Sequence, residues 1–300
     1  LAGHDISFGV NKNFKIKNGH LNIIGEGTLK ESSPYYAPII VSRLSNQDTE
    51  LEITIGENVT LEGWSGIMID IGSNSTAKNT TINFSGNINS VLDRGGAAGH
   101  GIYVNGTITD AVNYPVINIM DGSSISSLGD GIYAAGYAEW NIYGGNIEAV
   151  DMAVGIKSGI LNISGGTLKA TGARNLSVVN NNNGINPSGA ALQIESNEIY
   201  AGNIEININD GTLVSENAVP VYEYDSTETA TRVINFNITG GTFISNNYDS
   251  NLVFSSNFNN AFQGFITGGT FNKVILNIGS YIADGYTVVE QDGNYVVVAE

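Results

Sequence analysis

Asn162-Ile163-Ser164-Gly165-Gly166-Thr167-Leu168 decides how the chain is read, because it returns as Asn237-Ile238-Thr239-Gly240-Gly241-Thr242-Phe243. Looser copies are Asn22-Ile23-Ile24-Gly25-Glu26-Gly27-Thr28-Leu29, Asn141-Ile142-Tyr143-Gly144-Gly145-Asn146-Ile147, Asn207-Ile208-Asn209-Asp210-Gly211-Thr212-Leu213 and Ile266-Thr267-Gly268-Gly269-Thr270-Phe271. A short strand, a glycine turn and one inward apolar residue form the unit. That apolar residue falls at Leu29, Leu61, Ile88, Ile125, Ile147, Leu168, Leu213, Phe243 and Phe271, a recurrence of roughly 30 residues, which is the spacing of a solenoid.

A second strand recurs beside the first. It reads Gly101-Ile102-Tyr103-Val104, Gly131-Ile132-Tyr133-Ala134, Gly155-Ile156-Lys157, Ala191-Leu192-Gln193-Ile194 and Asn251-Leu252-Val253-Phe254, and Ile67, Ile69 and Ile71 belong to the same series. Strands this short, in one order and with no helical periodicity between them, bury their apolar edges only against the next copy, so they stack in parallel. The expectation is an all-β chain, a right-handed parallel β-helix of about nine rungs with at least two strands per rung. No linker interrupts the repeat, so 1–300 reads as one domain, with an N-terminal rung missing and residues 281–300 forming a hairpin cap on the Asp292-Gly293 turn. A cap is needed because an open sheet edge invites further pairing.

Two features of the unit read as structural. Equivalent asparagines in a stacked coil lie one above another and hydrogen-bond along the stack. The paired glycines supply positive φ at a corner, since no Gly-Lys-Ser/Thr follows to suggest a phosphate loop.

A net charge of -17 excludes a nucleic-acid or anionic-membrane surface, which needs clustered Lys and Arg. Anionic polymers would need a bridging cation. With no cysteine there is neither a disulfide framework nor a thiolate metal site. No apolar run is long enough to span a bilayer, so no membrane insertion is expected.

Insertions single out one corner. From the anchor to the second strand the chain takes 6 residues from Leu61 to Ile67, 7 from Ile125 to Ile132 and 9 from Ile147 to Ile156, but 14 from Ile88 to Ile102 and 24 from Leu168 to Leu192. Loops 89–100 and 169–190 thus rise from the same corner as walls, with two tight rungs between them as a floor roughly 14 Å wide. Tyr103, Tyr133 and Lys157 read as outward residues in one row across that floor, with His100 and Asp130 beside them and Asp93 and Arg94 on the first wall. Trp140 and Trp64 extend it. Aligned tyrosines suit sugar rings; on that reading Tyr133→Ala removes glycan retention and leaves stability nearly unchanged. A His beside an Asp also suits acid–base work, which makes His100, Asp130 and Lys157 the catalytic candidates if the chain is an enzyme.

The repeated Asn-Ile-x-Gly-Gly-Thr-Leu/Phe unit, with the ending Ala283-Asp284-Gly285-Tyr286 through Tyr295-Val296-Val297-Val298, resembles right-handed parallel β-helix modules of large bacterial cell-surface, adhesin-like proteins. The resemblance implies an extracellular, cell-surface or cell-wall location and a polysaccharide, host glycan or host protein as partner. It leaves the oligomeric state open. The fold is shared with pectate lyases and polygalacturonases, so a polysaccharide lyase or glycoside hydrolase is the alternative. Gly99-His100-Gly101 is similar to one polygalacturonase motif, but the chain has no Asp-Asp pair and no Arg-x-Lys. A pectate-lyase-like site would add calcium held by clustered acids; otherwise no cofactor is implied.

Overall fold

The computed structural model describes residues 1–9, 12–42, 50–69, 79–91, 93–94, 97–106, 113–177, 186–196, 200, 202–225, 233–254 and 262–300, with backbone only for 93, 94, 97 and 225. The chain is almost entirely β and winds as a parallel solenoid. Each full turn lays one strand on each of three ladders, one more than the sequence unit discloses. The turn Leu51–Ile55, Val59–Gly63, Ile67–Ile69 shows the order. Leu51 aligns with Thr80, Val59 with Gly27, and Ile67 with Ile39 and Ile102 on neighbouring turns. Among the described residues the third ladder is a separate sheet of nine parallel strands. Ile71, expected inward, lies outside the described residues.

Alternation carries the core. Along Leu51–Ile55 and Val59–Gly63 every second residue is buried. Register then places like on like, so that Leu29, Leu61, Ile88, Ile125, Ile147, Leu168, Leu213, Phe243 and Phe271 form one fully buried column. At its C-terminal end the Phe243 and Phe271 rings stack at 4.6 Å and 6°.

The two glycines of the corner answer different demands. Gly166 and Gly241 hold φ +82 and +90, a region that strains a side-chain-bearing residue. Gly165 and Gly240 have ordinary backbones, but a Cβ there would run into the carbonyl oxygens of Tyr143 and Asn209 on the preceding turn. The corner is tight enough that Gly159–Ala170 and Ile204–Ser215 each run as one strand across two ladders.

The asparagines do stack. Nδ2 of Asn118, Asn141, Asn162, Asn207 and Asn237 donates to Oδ1 of Asn83, Asn118, Asn141, Asn162 and Asn207 in turn, at 2.8 to 3.1 Å. Asn83 Nδ2 donates to the Glu52 carboxylate at 3.1 Å. Glu139 and Glu205 accept a further hydrogen bond from Asn141 and Asn207.

At the C-terminal end, Tyr286–Gln291 and Asn294–Ala299 pair as a hairpin through Asp292 (φ 52) and Gly293 (φ 76), the left-handed pair of a tight hairpin turn. Its second strand lies antiparallel on Thr270–Phe271 and covers that edge of the coil, as the cap reading required. A single helical turn, Ile278–Tyr281, precedes it. At the N-terminal end four short strands occupy 6–8, 14–16, 19–23 and 27–31. Phe14 is 38% exposed and meets Phe8 edge to face. Among the described residues no helix is long and apolar enough to cross a membrane.

Asn162 sits in the middle of the amide row. Asn162→Ala removes the hydrogen bonds to the Asn141 carbonyl oxygen and from the Asn207 amide, which keeps only Glu205, and is expected to lower unfolding free energy by about 2 kcal/mol. Asn237→Ala, at the row's end, should cost about half as much; urea denaturation of both variants checks the order.

Candidate functional site at the corner between the second and third ladders

The two long loops leave the same corner, as their lengths indicated. Asn87–Ser90 and Ser124–Ser127 are paired in register, as are Ser124–Ser127 and Asn146–Ala149, and Asn146–Ala149 with Thr167–Ala170. The chain then departs through 91–101 in the first of these turns and through 171–191 in the last. Within the first loop Asp93–Arg94 pairs antiparallel with Ala97–Ala98. The side chains of Asp93 and Arg94 lie outside the described part of the structure, as do residues 178–185 of the second loop.

His100, Tyr103, Tyr133 and Asp130 come together. Tyr103 and Tyr133 are register partners with rings stacked at 5.1 Å and 6°. The His100 ring stacks on both, at 5.5 and 4.9 Å, and Trp64 meets it edge to face at 5.6 Å. His100 Nδ1 lies 3.0 Å from Asp130 Oδ2, while the Asp130 side chain is only 1% exposed. The pair is ionic when His100 is protonated, but its geometry falls short of a hydrogen bond, and among the described residues neither Asp130 oxygen has a donor.

Three expectations are corrected. Tyr133 is buried, not part of an open floor. Burial pushes its hydroxyl far above the usual tyrosine range, with Tyr200 and Tyr103 adding to the effect. Lys157 is not in the tyrosine row: Tyr133 aligns with Gly155, which puts Lys157 one outward position further along. There it is fully buried, its Nζ 3.1 Å from Glu195 Oε1. Trp140 faces the core between Ile117 and Leu161 and is fully buried, because it occupies an inward position of the first ladder. It cannot touch a ligand.

Two features of the corner were missed. Val91, Leu128 and Val150 follow the anchors Ile88, Ile125 and Ile147 by the same three positions and are 48%, 43% and 40% exposed. Their backbone N–H groups bond back to Gly63, Ser90 and Ser127, which stacks them as an apolar row between the loops. That constant offset was visible in the sequence. The second feature is Asp151, next to Val150. Burial and then the Asp130 carboxylate push it up to about 6, against an opposing pull from His100. Among the described residues no three His, Cys, Asp or Glu side chains are grouped to hold a metal ion.

Comparison with known proteins finds no matching family model, no matching curated protein and no matching solved structure. Functional inference therefore rests on this geometry.

The sign of the Asp151 effect follows from its raised value. Between 3.8 and about 6 the folded protein retains a proton that the unfolded chain releases, so Asp151 costs stability that grows as pH rises through that window. Discounted for its partial exposure the cost is about 1–2 kcal/mol. Asp151→Asn is expected to stabilise by that amount at neutral pH and by nothing at the acid end of the window, read by urea denaturation at both. Tyr133→Ala, now a truncation inside a buried stack, is expected to cost about 3 kcal/mol and lower the melting temperature.

Proposed function

We propose that the chain is a surface-displayed bacterial module that binds a polysaccharide or host glycan along the corner between loops 91–101 and 171–191. The observation that carries this reading is the exposed row Val91, Leu128 and Val150, which starts at the foot of the first long loop, crosses two tight turns and is edged by Asp151. Sugar rings present apolar C–H faces and a rim of hydroxyls. An apolar strip edged by the Asp151 carboxylate matches both, the strip by contact area and the carboxylate as a hydrogen-bond acceptor. The charge of -17 selects against polyanionic chains unless a cation such as calcium bridges them. The cysteine-free, asparagine- and glycine-rich coil and its resemblance to adhesin-like modules support the location.

The hydrolase or lyase alternative keeps one specific support. Asp151, pushed up to about 6, sits within electrostatic reach of Asp130, and a carboxyl group of raised proton affinity beside a second carboxyl group is what acid–base cleavage of a glycosidic bond uses.

A glycan array, with and without calcium, followed by product analysis of each hit, separates these readings. Binding without shortened or unsaturated products supports the binding module, and cleavage transfers the assignment to the enzyme. Leu128→Asp and Val150→Asp are expected to weaken retention at least about tenfold while the melting temperature holds, because both side chains are surface residues. Unchanged retention in both variants would remove the corner as the binding site.

A further inference from the structure

We propose that Lys157 and Glu195 condense into an intramolecular isopeptide bond that covalently staples two adjacent turns of the coil.

The placement comes from register. Ile156 and Ile194 are partners on the third ladder, so Lys157 and Glu195 take the next position on neighbouring turns, both on the outer side of that sheet. They are held there at contact distance. Lys157 Nζ is 3.1 Å from Glu195 Oε1, and both side chains are 0% exposed. Aromatic rings close the surroundings: Nζ lies 4.9 Å from the Tyr200 ring centre and 5.9 Å from that of Tyr133, and donates to the Tyr200 hydroxyl at 3.4 Å. Tyr224 is the register partner of Glu195 on the other side, and its own hydroxyl is pushed upward by burial and then by Glu195.

Such a site reverses the preference that water imposes. In solution an ammonium and a carboxylate are kept from condensing by the hydration of their charges. Burial strips that hydration, and the attraction between the two ions repays it only in part. A neutral amide has no such cost. The water released joins the solvent, and two groups held side by side by a rigid sheet react with the advantage of a unimolecular step.

The reaction balances without a co-reactant. A proton passes from the Lys157 ammonium to the Glu195 carboxylate within the pair, giving an amine and a carboxylic acid. The amine nitrogen adds to Glu195 Cδ, forming one C–N bond. The carbon–oxygen bond to the hydroxyl then breaks, and that hydroxyl leaves as water with a proton from nitrogen. No atom changes oxidation state. The Tyr200 hydroxyl, already bonded to Nζ, is placed to relay that proton.

The bond would close the chain around the 171–191 excursion, tying together the turns on either side of the longest loop of the corner. Its role is mechanical and is independent of what the corner binds.

Denaturing intact-mass measurement of the folded, purified protein decides the matter. The expected mass is that of the sequence less one water, and tandem mass spectrometry of a digest should show the Lys157 peptide joined to the Glu195 peptide. Asp-Gly pairs such as Asp121-Gly122 and Asp210-Gly211 lose the same mass by cyclising onto the backbone. Lys157→Arg, which keeps the positive charge but not the amine, separates the two: the deficit should vanish in that variant. A folded wild-type protein at full sequence mass after prolonged incubation would overturn the proposal. So would a deficit that persists in Lys157→Arg with no joined peptide.

Discussion

The row of hydrogen-bonded asparagines on the first ladder is the constraint on which the coil's register depends. Parallel strands joined by loops of different length carry no hairpin turn to set their alignment, and a slip of one residue would turn every buried side chain outward. Like-on-like side chains penalise such a slip. With the row in place, each amide from Asn118 to Asn207 both donates and accepts along the stack, and a shifted strand would break two hydrogen bonds while also exposing an isoleucine. The anchor column on the second ladder adds the apolar half of the same argument. Together they allow the outer corner to vary: loops 91–101 and 171–191 leave a frame whose alignment does not depend on them.

Much of this frame was legible because its causes are local. Gly165 and Gly166 announce a corner by their chemistry, although only the structure shows that one glycine gives space and the other gives φ. The Asp292-Gly293 turn likewise announced the hairpin that covers Thr270–Phe271. What was not legible depends on how far each side chain stands from the coil axis. Trp140 was read as a surface aromatic, yet its parity with Ile142 along one strand puts it inward. Lys157 was placed with Tyr133, yet Gly155 occupies that row, and Lys157 lies two residues further along the strand. Tyr133 follows the outward alternation correctly but is buried all the same, because His100, Tyr103 and Tyr200 pack over it. Alternation distinguishes the two faces of a strand; it says nothing of what loops later lay over the outer face.

That second, outer layer gives the corner its chemistry. A single-layered coil offers only a flat exterior, whereas here aromatic rings build a partly dry region outside the third ladder, containing the Asp130 carboxylate and the Lys157–Glu195 pair. Asp151 shows the resulting gradient. It sits one residue from a solvent-exposed valine, yet the dry side and the Asp130 charge displace its proton affinity toward neutrality. Polar groups at such a boundary feel water on one side and protein on the other, the setting in which charge is most readily tuned.

Every amide of the asparagine row points the same way, donating toward the N-terminal end of the coil. Their dipoles therefore add, much as peptide units do along a helix, with the donor end meeting the Glu52 carboxylate and the Asn237 carbonyl oxygen at the opposite terminus. The rod is thus electrically directional, with an anion at its positive pole. Directionality also imposes a grammar on growth by duplication of turns. A turn added beyond Asn237 must bring a donor to that position, whereas one inserted before Asn83 must bring an acceptor, and asparagine is one of the few side chains that satisfies both requirements at once.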